Sequence, residues 1–188
     1  MKQIILLLTI LSIVSCNKNA ENNNLEIDTL KNEDKKPKTE INNQISEDKE
    51  NRKEKTSDIE QVDTALNFIN SYIVDCNKMK ESVGYLNFVK SSKLTSNNFK
   101  TELQKIVDEA EKEDPEMGLG FDPIVDGQDY PEEGFELKHF DSETNIIVVK
   151  GKKWSDFEVT MKVILDNRKW LVVGCGIVNI PKNKQSKR

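Results

Sequence analysis

The residues best equipped for chemistry lie between Asp108 and Glu136, where twelve carboxylates are matched by a single base, Lys112. Within that stretch Asp122, Asp126, Gln128 and Asp129 fall inside eight residues, and Gly127 permits a sharp turn. Oxygen donors at this density suit a hard cation such as calcium, although the spacing departs from that of an EF-hand loop. The competing reading is a structural loop. Asp122 then turns the chain ahead of Pro123, while Gln128 and Asp129 bond to backbone groups of neighbouring strands. His139 is the single histidine, which excludes a two-histidine metal site. A dyad between His139 and Asp122, Asp126 or Asp129 is the general-base arrangement left open, against the plainer reading of an ordinary strand histidine. The chain has no nucleophile elbow, phosphate-binding loop or dinucleotide fingerprint, so no catalytic residue is assigned. The glycines of Gly174-Cys175-Gly176 indicate a bend or a close backbone approach within a strand.

The three cysteines divide by position. Lys2 precedes an apolar run from Ile4 to Val14, which Ser15-Cys16 closes. This resembles a bacterial lipoprotein signal peptide. The run is about half the roughly 20 residues a spanning helix needs, so residues 1–15 are expected to be removed. The resemblance implies a mature chain that begins at diacylglyceryl-Cys16 and sits in the cell envelope, held on a membrane by its lipid. Asn17 stands where an aspartate would retain a lipoprotein at the inner membrane, which favours the outer one. Cys76 and Cys175 then remain as an even pair in an oxidising compartment, and a disulfide between them is one reading. It would close a loop near a hundred residues long, for which the chain-entropy estimate is about 4–5 kcal/mol. Two buried thiols are the other reading, because Cys76 lies on an apolar helix stripe. Neither cysteine has a basic neighbour to lower its pKa.

The segment from 16 to 57 holds Asn22-Asn23-Asn24, Lys35-Lys36-Pro37-Lys38, dense balanced charge and no aromatic residue. Such a composition cannot bury enough apolar surface to offset the entropy of ordering, so a disordered tether is expected. As a coil it would span about 35–40 Å.

A globular domain is expected over residues 58–181. Ser57-Asp58-Ile59-Glu60 fits a capping box. Ile59, Val62, Leu66, Ile69, Ile73 and Cys76 then recur at helical spacing towards Lys80. A short connection carries Gly84, Tyr85, Leu86, Phe88 and Val89. Thr95 or Ser96 opens a further helix with Phe99, Leu103, Ile106 and Ala110 inward, and Asp114-Pro115 ends it. A long Gly-, Pro- and Asp-rich loop fills 115–134. Period-two patterns follow: Phe135–Phe140, Thr144–Val149, Asp156–Leu165 and Trp170–Ile180, with turns at Asp141-Ser142-Glu143 and Asp166-Asn167-Arg168. Helices first and antiparallel strands after argue for an α+β domain. Two or three N-terminal helices would pack on a curved four-stranded antiparallel sheet. A domain of this length can bury a substantial core.

Thr95 with Phe99, then Phe121-Asp122-Pro123, then Gln128-Asp129-Tyr130-Pro131, closing on Trp170-Leu171-Val172, resembles the uncharacterised bacterial lipoprotein domain of the YbjP/YqhG type. That domain is similar in turn to the cone-shaped nuclear-transport-factor-2-like fold. The resemblance spans roughly residues 60–180. It implies a fold and an envelope location and no reaction, since the fold hosts enzymes, binding modules and immunity proteins alike.

Charge narrows the partners. The chain carries a net −5. Residues 58–181 hold 23 acids against 14 bases, and residues 182–188 form a basic tail of Lys182, Lys184, Lys187 and Arg188. Nucleic acid is excluded as a natural partner, because binding it requires phosphate neutralisation. A protein with a basic surface, or a cation, fits. The favoured function is therefore a non-catalytic binding or interaction module of the envelope, recruiting or inhibiting a partner, conferring immunity, or holding a small ligand. An enzyme with its site inside the cone is the alternative, as is a calcium-binding envelope protein. The visible inward set, Val159, Met161, Val163 and Leu165, is apolar, which favours a filled core or an apolar pocket.

Overall fold

The computed structural model describes the backbone of residues 41–186 and the side chains from residue 55. The expected signal peptide, Cys16 and the tether up to residue 40 lie outside the described residues. The chain folds as an α+β unit with three helices, α1 (Ile41–Cys76), α2 (Tyr85–Ser91) and α3 (Asn97–Glu113). Four strands follow, β1 (Phe135–Asp141), β2 (Ile146–Gly151), β3 (Glu158–Asp166) and β4 (Lys169–Cys175). Single 3-10 turns sit at Met79–Glu81 and Lys182–Lys184.

Helix α1 starts at Ile41, well ahead of the boundary expected at Ser57, so Ser57 lies in the helix interior and caps nothing. Residues 41–57 contain no glycine or proline and hold three Glu and three Lys, so continuing the helix through them costs little. The helix ends at Cys76 rather than near Lys80. Asp75, buried at 3 % exposure, stops it. Its carboxylate accepts from Lys78 Nζ (2.9 Å), Ser82 Oγ (2.8 Å) and the Val83 amide (3.0 Å), which winds the chain into the following turn.

The connection after it holds α2, a helix that the sequence pattern does not reveal. Ser96 caps α3 through its hydroxyl, which accepts from the Phe99 amide. Asp114 ends that helix, as its position before Pro115 requires.

The sheet is a meander, β1-β2-β3-β4, antiparallel throughout. One face packs on α1, which touches all four strands. The core joins Phe68, Ile69, Tyr72 and Ile73 of α1 to Phe135, Ile147, Val149, Val159, Met161, Val163 and Val172 of the sheet. Phe99, Leu103 and Val107 of α3 close one side. Two expected core positions are exposed instead, Ile59 at 55 % and Leu165 at 57 %. Leu165 lies at the end of β3, and Ile59 lies on α1 ahead of Ala65, the first buried apolar side chain described on that helix.

The last strand is shorter than the run Trp170–Ile180 suggests. It stops at Cys175 because Gly176 takes φ +61 and reverses the chain. A Cβ there would meet Pro123 O at 2.2 Å, so the glycine is needed both for its conformation and for the close approach. The amides of Gly176 and Ile177 bond to Thr160 O and Pro123 O, fastening the 121–129 loop to the end of the sheet. From Gly176 the chain returns across the sheet face that points away from α1, with Ile180 seated over Gly174.

Candidate functional site

The sequence grouped Asp122, Asp126, Gln128 and Asp129 as one set, and the fold separates them. Asp122 turns inward. Its Oδ1 accepts from the amides of Ile124 (2.8 Å) and Val125 (3.3 Å), and its Oδ2 accepts from the Tyr72 hydroxyl. Backbone bonds between Asp122 and Gly127, 2.8 and 3.2 Å, close the loop into a small ring. This places Ile124 and Val125 in the core, so Asp122 builds the loop rather than presenting a ligand. Burial holds its carboxyl above the usual range, with the Tyr72 hydroxyl and the two amides pulling the other way. The Tyr72 hydroxyl is pushed far above its ordinary value by burial and by the neighbouring carboxylate.

Asp126 sits at the tip of the ring with φ +56 and faces outward, its Oδ2 accepting from the Ser186 amide at 3.1 Å. Gln128 Nε2 donates weakly to Gly120 O, at 3.4 Å, and Asp129 is exposed. Among the described residues no group of three or more His, Cys, Asp or Glu side chains is gathered closely enough to hold a metal ion. His139 is exposed on β1, and no carboxylate bonds to it among the described residues. Both remaining cysteines stand as free thiols. Cys175 is fully buried and donates to Ile124 O at 3.3 Å, and burial raises its pKa well above the ordinary value. Burial pushes the Cys76 thiol up to about 11, despite an opposing bond from Tyr72. Neither is poised as a nucleophile.

What the loop does build is one wall of a groove of about 900 Å³ on the sheet face away from α1. Val148 of β2 and Thr160 of β3, a cross-strand pair, form its floor. Asp126 and Asp129 line one side. The β2–β3 connection gives the opposite side, with Trp154 and Asp156, and the returning C-terminal segment supplies Lys184, Gln185 and Ser186.

Trp154 is 46 % exposed, and its ring meets Phe157 edge-on at a centroid distance of 4.9 Å. The turn beneath it is tight. Phe157 N donates to Trp154 O (3.0 Å), Gly151 N donates to Phe157 O (2.9 Å), and a Cβ at Gly151 would lie 2.6 Å from both Trp154 O and Pro131. The indole is thus an apolar platform on a rigid base. Of the four acids lining the groove, Glu158 is paired with Lys138. Asp129 and Asp156 have no basic partner among the described residues, and Lys184 is the one base in the lining. The sequence did not point to Trp154 and Asp156; a tryptophan in a Lys-Lys-Trp-Ser-Asp turn, off the strand alternation, was the available signal. A second hollow, between α2 and α3, is lined by four lysines and two acids that alternate on exposed helix faces, and it has no aromatic or apolar floor. The chemistry therefore favours the groove beside Trp154.

No helix among the described residues is long and apolar enough to cross a membrane. Neither a family model nor a curated protein matches the sequence. A crystal structure of a protein of unknown function from Bacteroides thetaiotaomicron is similar in part, with a TM-score of 0.44 and 18 % identity over 72 % of this chain and 98 % of that one.

Proposed function

We propose that this chain is a lipid-anchored envelope protein whose folded unit is a non-catalytic binding module, and that it takes a basic protein partner in the groove beside Trp154. The anchor is Cys16, with the residues after it serving as spacer and the helices and curled sheet forming a cone closed by its own core. The observation that carries the reading is the combination of an exposed, rigidly mounted indole with two carboxylates that have no basic partner among the described residues, Asp129 and Asp156, over a floor of Val148 and Thr160. A cationic side chain gains from both: attraction to the ring face and charge-assisted hydrogen bonds to the carboxylates. An enzyme is less well supported, because the most enclosed titratable groups described, Asp75, Tyr72, Asp122 and Cys175, bond to neighbouring side chains or to backbone and do not line the groove.

The test is a photo-crosslinker placed at Gln128, an exposed residue of the groove lining, in the lipidated protein in intact cells. The expected product is one stoichiometric adduct with a basic protein, lost in the Asp129→Lys/Asp156→Lys double variant. An adduct that survives the double reversal, or no adduct, refutes the groove as the partner site.

A further inference from the structure

The C-terminal wall of the groove is built unlike the rest of its lining. Ile180, at 4 % exposure, is the last buried side chain among the described residues. From Pro181 to Ser186 no residue is buried, and the segment is held by hydrogen bonds. Thr160 Oγ1 donates to Lys184 O (2.7 Å), Ser186 Oγ to Glu158 O (2.6 Å), the Ser186 amide to Asp126 Oδ2 (3.1 Å), and Gln185 Nε2 to Ile180 O (2.8 Å). A segment held by hydrogen bonds without buried apolar contacts opens at low cost compared with the core strands.

Its chemistry matches what the groove should attract. The segment carries Lys182 and Lys184, and the sequence continues with Lys187 and Arg188. It satisfies Asp126 by a backbone amide, uses the carbonyl of Glu158, and spans Thr160 on the floor. These are largely main-chain contacts that a polypeptide laid along the groove would make, and Lys184 adds positive charge to a lining that holds four acids.

We propose that residues 182–186 are the groove's intramolecular ligand, and that the partner is a basic segment of polypeptide that binds by displacing them. This rests on the reading of the groove as a binding site. The strap lowers the apparent affinity for any external peptide by the fraction of chains in which it is closed. It also gives selectivity, since weakly basic segments fail to compete.

The experiment uses a synthetic peptide reproducing residues 181–188, titrated by calorimetry against the full chain and against a chain ending at Pro181. The truncated chain should bind the peptide at least tenfold more tightly than the full chain. A full-length Ser186→Pro variant, which loses the amide that engages Asp126, should gain severalfold, and it scores the proposal should the truncation fail to fold. Equal affinity of full, truncated and Ser186→Pro chains, with binding still abolished by Asp129→Lys/Asp156→Lys, overturns the strap while the groove reading stands. No binding of this peptide or of an oligo-arginine control to any form overturns both.

Discussion

At the scale of single residues, buried Asp75 and half-buried Asp122 show how environment decides what a carboxylate does. Asp122 has its carboxyl raised by burial, so the stability it lends is greatest at low pH and declines as pH rises through its folded value. Asp75 behaves in the opposite sense. Burial alone would raise it, but the bonds from Lys78, Ser82 and Val83 outweigh that and hold it below its ordinary value of 3.8. The native state therefore binds fewer protons at this site than the unfolded chain. Its contribution is full above about pH 4 and is lost as pH falls below it. Asp75→Asn keeps the shape and removes the charge, and should cost about 1–2 kcal/mol at pH 7. Urea unfolding at pH 7 and pH 3 checks this: the gap between variant and parent should shrink at the lower pH. A gap that is the same at both values would show that the charge itself contributes nothing.

At the scale of elements, the free edge of β1 is finished by a side chain. Asn70 of α1 donates from Nδ2 to Phe135 O (3.1 Å) and accepts at Oδ1 from the Phe135 amide (2.7 Å), doing what a neighbouring strand would do. Beyond it the strand bulges between Leu137 and His139 and carries Lys138, features that discourage pairing with another chain. Asn70→Ala leaves both backbone groups of Phe135 without a protein partner and should cost about 1–3 kcal/mol. The matching signature is faster hydrogen exchange at the Phe135 amide than at Val149. Unchanged exchange would mean the edge is held by something other than Asn70.

Nothing in the sequence marks Asn70 for this role, because the contact joins residues far apart in the chain. Local signals were readable: the Ser96 cap, the stop at Asp114-Pro115, the turn at Asn167-Arg168 and the four antiparallel strands all follow from short-range chemistry. Features set by tertiary contact were not. The inner face of α1 centres on Ala65, Phe68 and Tyr72 as well as Ile69 and Ile73, because Phe88 of α2 packs on Phe68 and Tyr72 and widens the buried sector. The α2 helix itself is too short for a periodicity to register, and the end of β4 is imposed by the approach of Pro123 to Gly176. The same limit applied to the site. Asp126 and Asp129 stood out through charge density, whereas Trp154 and the Lys184–Ser186 strap reach the groove only when the sheet brings the two connections together.

At the scale of the whole molecule, the negative charge of the domain is unevenly spread. Residues 58–181 carry nine more acids than bases, and the excess is concentrated between Asp108 and Glu136, the stretch that supplies the groove's loop wall. Exposed acids of this kind act at a distance and are screened over about 8 Å at physiological salt. The indole and the floor act at contact and are indifferent to salt. The two contributions should therefore separate kinetically. For a basic peptide binding the groove, raising salt from 20 to 500 mM should slow association about tenfold and change dissociation far less. Trp154→Ala should leave association near its parent value and speed dissociation, since the lost contact forms only after encounter. Stopped-flow measurement of both rates distinguishes these effects. If salt instead accelerated dissociation as strongly as it slowed association, the acids would be acting as close ion pairs in the bound state. The steering role assigned to the wider acidic surface would then fall.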